Sequence, residues 1–226
     1  MIVYPWVGAG MAAARLVVPN GFPDPNSNSL IMTAAFLTPP NFDAAAPIES
    51  NYATFGMPFA HEFVHIAEYH QFDAAGHERD IWSPADIAAW EKRRQCVIGE
   101  AEADQSAPAA ERTRASDYHD YSENVADLGG LRLAYEALAA KLGAKLNQPD
   151  ARGITPAQRF FYKYAQHWCT AATPEDLQKR AGDDPHALPA YRTNVPLSNL
   201  SAFGEAFGCK PGSPMRLPDA KICRMW

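Results

Sequence analysis

The sequence predicts a mainly α-helical fold with a small β-sheet, an α+β chain. Helix starts are marked three times by Ser or Thr followed by Pro, at Ser83, Thr155 and Thr173. In this pattern the first residue caps the helix and proline suits its first turn. The strand signal is confined to one short apolar stretch, residues 30–37. With 226 residues, 47% of them hydrophobic, the chain can bury the core of one domain.

Composition divides this single predicted domain, residues 1–226, into segments. Pro58 either begins or kinks the helix predicted at 53–72. Gly129 and Gly130 interrupt the apolar spacing of the helix predicted at 123–146. The segments are 1–18, of unclear role; 19–52, a strand and loops; 53–72, a helix; 101–122, an exposed connector; 123–146, a helix; and 180–226, short helices and loops.

The charge balance argues against a nucleic-acid partner. The net charge is −6, and the one basic run, EKRR at 91–94, is typical of a solvated helix face. The least polar stretch lies at the N-terminus, but Pro5, Gly8 and Arg15 break it and no basic region precedes it. We therefore expect neither a membrane span nor a visible signal peptide in this chain.

The stretch FAHEFVHIAEYH, residues 59–70, predicts a metal site. On a helix, His61 and His65 lie on one face and can bind one zinc ion. Glu62 lies beside them and can act as general base towards a water molecule. A catalytic zinc site uses three protein ligands and leaves a fourth position for water.

The residues alone leave the third ligand open. Glu68 and His70 are close in sequence, but they lie seven and nine residues after His61, about two turns or more along the same helix, so their side chains would have to fold back. A second helix offers Glu123 and Asp127 four residues apart, on one face. One of these carboxylates could bind zinc while the other bonds a ligand histidine and fixes its tautomer.

From about residue 18 to 226 the sequence resembles the catalytic half of the neprilysin-like zinc metallopeptidases. The resemblance is carried by LTPPNFD, NYATFGMPFAHEFVH, ENVADLGGL, YAQHWC, the DPHALPAYRTNVPLSNL region and the terminal CRMW, all in the family's order. It implies a thermolysin-like gluzincin fold built around the HExxH helix, with one zinc ion per chain.

The resemblance also implies a role for each matching residue. Zinc would be bound by His61, His65 and Glu123. The catalytic residues would be Glu62 as general base, Asp127 orienting His61, and His186 donating a hydrogen bond to the oxyanion. Peptide substrates would be bound by Asn20, Gly21, Arg192, Phe36, Met57 and Trp168.

Four cysteines are far apart, without a C-x-x-C pair, so a cysteine zinc site is not expected. The resemblance implies a disulfide between Cys96 and Cys223. Cys169 and Cys209 match cysteines that pair with an N-terminal half in animal members, so here they are either free or paired with each other. A disulfide favours an extracytoplasmic location, periplasmic or secreted.

Several positions depart from the family's pattern. IAEYHQ replaces the family's Gly-Phe-Asp-Asp, so an aspartate that would support His65 is absent and Glu68 is its candidate substitute. His167 stands where the family has an apolar residue. The family's N-terminal capping domain is absent from this sequence.

These observations predict a zinc metalloendopeptidase that cleaves peptides or small proteins before a hydrophobic residue. The alternative is a peptide-binding pseudo-peptidase or regulatory subunit that retains zinc, and a purely structural zinc is less favoured because two histidines and one glutamate leave a position open. Without the capping domain the chain should expose apolar surface, which predicts a homo-oligomer or a separate capping chain.

Overall fold

The computed structural model describes residues 17–24, 27–68, 71–103, 118–184 and 186–225. In this part of the chain the fold is mainly helical, as predicted, and strand is confined to two antiparallel hairpins. β1 (Gly21–Pro23) pairs with β2 (Leu30–Met32), and β3 (Gln71–Phe72) pairs with β4 (Glu78–Arg79). No helix among the described residues is both long and apolar enough to cross a bilayer.

The helices are α1 (Ile48–Asn51), α2 (Met57–Glu68), α3 (Pro84–Ala103), α4 (Tyr118–Leu142), α5 (Pro156–His167), α6 (Pro174–Asp183), α7 (Pro189–Ser198) and α8 (Ser201–Ala206). Three 3-10 turns, Ala34–Leu37, Gly143–Asn147 and Asp219–Lys221, and one π-helical turn, Tyr52–Gly56, complete the described structure.

The caps that predicted three helices are present. Thr155 forms a reciprocal capping box with Gln158, and Thr173 forms one with Asp176. Ser83 and Asp86 exchange the same kind of bonds at the start of α3. These bonds satisfy backbone N–H groups that a helix start leaves without partners, so α3, α5 and α6 begin where the sequence indicated.

The predicted strand at 30–37 is shorter in the structure. β2 ends at Met32, and Ala34–Leu37 is a 3-10 turn. Thr33 separates them: its N–H donates to the Asn20 carbonyl oxygen, and its hydroxyl donates to the Val18 carbonyl oxygen. These bonds anchor the chain at the end of the hairpin, where it turns away from the strand direction.

The predicted helix at 53–72 differs at both ends. A helical path already begins at Ile48 and passes through the π-helical turn into α2. In a regular α-helix the Pro58 ring would clash with the Thr54 carbonyl group, and the wider turn just before it relieves that clash. At the other end α2 stops at Glu68 and β3 follows, its Phe72 held at both N–H and C=O by the Asn28 side chain.

The predicted connector at 101–122 is shorter than expected. α3 continues to Ala103 and α4 begins at Tyr118, five residues before Glu123; residues 104–117 lie outside the described part. Gly129 and Gly130 do not interrupt α4. A Cβ atom at Gly130 would lie 2.8 Å from the backbone nitrogen of His61, so glycine allows α4 to pack directly on the backbone of α2.

Two apolar clusters support these helices. The larger contains side chains from α2, α4 and α5: Met57, Leu131, Leu138, Phe160, Phe161 and Tyr164. The smaller surrounds the Cys96–Cys223 disulfide, which is present as the resemblance implied, and contains Val64, Val97 and Val125. Cys169 and Cys209 are free thiols and are not paired with each other.

Candidate metal centre

Two histidines lie one turn apart on the buried face of α2. His61 and His65 are each 4% exposed, and their Nε2 atoms are 3.2 Å apart. The four-residue spacing places both imidazoles on the same side of the helix. Both rings therefore present Nε2 to one space between α2 and α4.

The helix α4 supplies a third donor atom to this space. Glu123 Oε2 lies 2.9 Å from His61 Nε2 and 3.3 Å from His65 Nε2. A tetrahedral zinc ion with bonds of about 2.0–2.1 Å holds its ligand atoms about 3.3 Å apart. The donor atoms stand close to this spacing, and two imidazole nitrogens with one carboxylate oxygen form a set that zinc accepts. The residues present therefore fit a zinc ion.

The charges around the same space favour a cation. Burial would lower the pKa of His65, but hydrogen bonds with Glu123 and Glu68 raise it to about 10. Burial would raise the pKa of Glu123, but its hydrogen bonds with imidazoles, first that of His186, hold it far below its usual range. The site thus stabilises positive charge, whether protons or a metal ion carry it.

Glu62, the second residue of the motif, does not contribute one of these donor atoms. Burial raises the pKa of its carboxyl group, which makes the carboxylate a stronger base. Its side chain packs against β1, because a Cβ atom at Gly21 would lie 2.8 Å from Glu62 Cγ. Gly21 therefore allows the strand to pass close to this carboxylate.

Asp127 supports His61 from behind. Its Oδ1 lies 2.9 Å from His61 Nδ1, and Arg192 donates to both of its oxygens at 2.7 Å. Burial would raise the pKa of Asp127, but the Arg192 guanidinium and His61 lower it to about 2. Arg192 is itself fixed, since its Cζ lies 4.0 Å from the centre of the Trp168 ring. A proton held on Nδ1 leaves Nε2 of His61 free to bind a metal.

His186 reaches the same centre from the segment before α7. Its Nε2 lies 3.1 Å from Glu123 Oε2, and its Nδ1 lies 2.6 Å from Asp184 Oδ1. The ring stacks on that of His61, with centroids 6.4 Å apart. Asp184 was not singled out from the sequence. Asp184, two residues before His186, can fix its ring as Asp127 fixes His61.

His65 is supported by Glu68, the substitute suggested by the sequence. Glu68 Oε2 lies 3.1 Å from His65 Nδ1, so this carboxylate lies behind the ring and is not a third ligand. Ser122 Oγ donates to the same oxygen at 2.7 Å. Sequence reasoning missed Ser122, and the only available signal was its place directly before Glu123. His70 lies outside the described residues.

The predicted substrate-binding residues are not all in one place. Met57 is buried in the larger apolar cluster, and Phe36 is buried edge-to-face against Phe55. Trp168 lies under Arg192 and lines a shallow cleft. His167 contacts the Trp168 ring, and burial followed by the nearby guanidinium lowers its pKa to about 4. Its imidazole is therefore uncharged at neutral pH.

Asn20 directly precedes β1 and lies two residues after Val18, whose carbonyl oxygen accepts a bond from Thr33. Its side-chain oxygen accepts a bond from the Gly21 N–H, and its own N–H donates to Thr33 Oγ1. Both bonds rigidify the backbone that passes over Glu62. They also hold the Asn20 side chain against its own strand.

Comparisons with known proteins show the family to which this chain is similar. The model of peptidase family M13 matches residues 20–223. Neprilysin-1 of Caenorhabditis elegans is 35% identical over 215 residues, covering 92% of this chain and 28% of that protein. Human endothelin-converting enzyme 1 is 31% identical over 212 residues, covering 92% of this chain and 27% of that protein.

Solved structures give the same result. The zinc metalloprotease ZMP1 of Mycobacterium tuberculosis in its open state superposes with a TM-score of 0.79 at 29% identity, over 92% of this chain and 33% of that one. A Haemonchus galactose-containing glycoprotein complex gives 0.77 at 31% identity, over 92% and 35%. The chain thus spans roughly a third of these relatives' length. Because the family model covers nearly all of it and the relatives share its fold, this chain belongs to peptidase family M13.

Proposed function

We propose that this chain carries the catalytic centre of a zinc metalloendopeptidase. The observation that supports this most is the convergence of His61, His65 and Glu123 at zinc-ligand spacing, with Glu62 beside them. Two histidines and one glutamate leave a coordination position open, which is typical of catalytic zinc rather than structural zinc. One zinc ion per chain is the proposed cofactor.

The residues around the ion divide the work of peptide hydrolysis. Zinc, when bound, supplies Lewis acidity and makes water more acidic. Glu62 accepts the proton of the attacking water on its carboxylate and passes it to the leaving nitrogen. His186 donates from Nε2 to the oxygen of the scissile carbonyl as negative charge develops there. Asp127 keeps His61 in the tautomer that presents Nε2.

Substrate recognition is proposed to use the groups that border this centre. Nε and Nη2 of Arg192 donate hydrogen bonds to Asp127, so Nη1 is the nitrogen suited to a substrate carbonyl oxygen. The backbone at Asn20 and Gly21, passing over Glu62, offers an edge to an extended peptide. Trp168, which lines a cleft and lies under Arg192, would favour a hydrophobic residue after the scissile bond, and the uncharged His167 would modify that preference. Phe36 and Met57 are buried, so they would contribute only by packing behind the surface that receives this residue.

A quenched fluorescent peptide assay tests this proposal. We expect the zinc-loaded chain to cleave peptides on the amino side of hydrophobic residues. Glu62→Gln should reduce kcat by at least about a hundredfold while zinc still binds. The matched control is Glu136→Gln, an exposed glutamate on α4 paired with Arg132. Cleavage that survives Glu62→Gln would remove Glu62 from the general-base role.

The same assay decides the alternative function. If one zinc ion binds per chain but no peptide in a broad library is cleaved, the chain is a zinc-retaining pseudo-peptidase or regulatory subunit. The observation behind this alternative is the length of the relatives, of which the matched region covers 28% and 27%. A complete active site would then need residues from outside the matched region.

We further propose that a homo-oligomer or a separate capping chain covers apolar surface on the outer face of α2. We also propose that the protein works outside the cytoplasm. Phe59 and Phe63 lie one turn apart on the outer face of α2 and are 42% and 54% exposed. Adjacent exposed aromatic side chains are typical of an interface. The Cys96–Cys223 disulfide favours an oxidising compartment. Light scattering after size exclusion should give a mass above that of one chain, and a soluble monomer would contradict the oligomer.

A further inference from the structure

We propose that Ser122 and Glu68 form a positioning pair for the metal ligand His65. In this pair the hydroxyl group of α4 holds the Glu68 carboxylate against the Nδ1 atom of His65. The proposal rests on the zinc centre described above and adds a specific device to it. It concerns how tightly zinc is held, which can be measured whether or not the chain cleaves peptides.

The two histidine ligands are supported in unequal ways. His61 rests on Asp127, whose two oxygens are both held by the fixed cation Arg192. His65 rests on Glu68, the last residue of α2. A glutamate side chain at a helix end has several rotatable bonds and gains order only from a specific partner. The Glu68 carboxylate therefore needs a restraint of the kind that Arg192 already gives to Asp127.

Ser122 supplies this restraint. Its Oγ lies 2.7 Å from Glu68 Oε2 and 3.2 Å from His65 Nδ1. Ser122 is 9% exposed and the Glu68 side chain 7%, so water does not replace these bonds freely. An ionised carboxylate can only accept, so both the hydroxyl proton and the Nδ1 proton go to Glu68. With its proton on Nδ1, His65 presents the Nε2 lone pair to the metal.

The position of Ser122 in the chain links this support to the third ligand. Ser122 directly precedes Glu123, so one turn of α4 carries both the metal-binding carboxylate and the hydroxyl that restrains Glu68. The two helices are thus joined at two adjacent points, one through the metal and one through the Ser122–Glu68 bond. Correct docking of α4 on α2 brings Glu123 to the metal and orders His65 in the same movement.

Zinc affinity measured by competition with a chromophoric chelator tests the pair. We expect Ser122→Ala and Glu68→Gln each to weaken zinc binding by about tenfold or more, as loss of a ligand's hydrogen-bond partner does. Since Ser122 acts through Glu68, the double variant should bind zinc no more weakly than Glu68→Gln alone. Glu136→Gln, on the exposed face of α4, is the control and should bind zinc like the parent chain.

A second readout separates positioning from simple stability. Cobalt substitution should give a changed visible absorption spectrum in Ser122→Ala, because the His65 ring is no longer fixed, and Ser122→Thr, which restores a hydroxyl, should recover the parent spectrum. Additive losses in the double variant would overturn the proposal. An unchanged affinity would also overturn it, as would a loss of metal-free stability with an unaltered cobalt spectrum. Absence of peptide cleavage with these zinc effects intact would instead count against the proposed peptidase activity.

Discussion

Asp127 and Glu68 each contact the Nδ1 atom of one of the two neighbouring histidines, but different partners hold the two carboxylates in place. Asp127 is buried, and Arg192 holds both of its oxygens. Removing one partner of such a pair would leave the other charge buried and uncompensated. Among the described residues, Glu68 is held by a neutral hydroxyl and by the imidazole itself. The difference makes the His61 side of the centre the rigid one.

Glu100 is a half-buried carboxylate away from the candidate metal centre. Burial raises its pKa to about 7, against the weaker opposing effect of a hydrogen bond from Asn199. Because the pKa is higher in the folded chain than its ordinary value of 4.5, protonated Glu100 favours folding. This stabilisation is complete below about pH 4.5 and is lost as the pH rises through about 7.

We expect Glu100→Gln to remove this dependence, since glutamine stays neutral and can still accept the Asn199 bond. Relative to the parent chain, the variant should gain about 3 kcal/mol in the free energy of unfolding between pH 4.5 and 8. Urea unfolding at several pH values measures the difference. Glu91→Gln, an exposed position on the same helix whose carboxylate pairs with Arg94, should show no such gain. A constant difference across this range would contradict the assignment to Glu100.

At the scale of elements, the site depends on how closely α4 lies against α2. Gly130 faces the backbone of His61, and any Cβ atom there would come within 2.8–3.0 Å of its backbone and Cβ atoms. Since these contacts involve the backbone of His61, a side-chain rotation cannot relieve them. One glycine therefore sets the distance between the two proposed ligands on α2 and the third proposed ligand on α4.

We expect Gly130→Ala to lower both the melting temperature and zinc affinity, because α4 must move outward and take Glu123 with it. The loss of stability should be about 1–3 kcal/mol, typical of overpacking. Gly99→Ala is the matched control: a Cβ atom at this helical position meets no atom within 4 Å, so alanine should be neutral or slightly stabilising. Calorimetry with and without zinc compares the two, and equal behaviour of the two variants would exclude a close-approach role.

The helices of the fold show what the sequence could and could not predict. Caps at Thr155 and Thr173 are local signals, and the structure has helices there. The grouping of Glu123 with His61 and His65 was predictable through the family resemblance, because the residues alone left the third ligand open. The π-helical turn before Pro58 and the contact at Gly130 were not, because both depend on how segments distant in sequence pack together. Glycine inside a helix pattern looks like an interruption until its neighbour is known.

For the whole molecule, the disulfide connects parts that are far apart in sequence. Cys96 and Cys223 are separated by 127 residues. Around them lies the smaller apolar cluster, in which Val64 neighbours His65 and Val125 follows Glu123 by two residues. Arg93 adds a bond to the Met225 carbonyl oxygen at 2.9 Å. The C-terminal segment is therefore fastened to the cluster that backs the metal centre.

Replacing both cysteines, Cys96→Ser with Cys223→Ser, should lower the free energy of unfolding by about 3–5 kcal/mol, because a cross-link of this length removes much of the unfolded chain's freedom. Zinc affinity should fall with it, since Val64 and Val125 lose the packing that holds both ligand helices in place. Denaturant unfolding of the metal-free and zinc-loaded chains measures both effects. Cys169→Ser, which removes an exposed free thiol, is the control for sulfur loss alone. If the double variant unfolds at the parent's denaturant concentration, the disulfide does not stabilise the centre, and the apolar cluster alone holds the C-terminal segment.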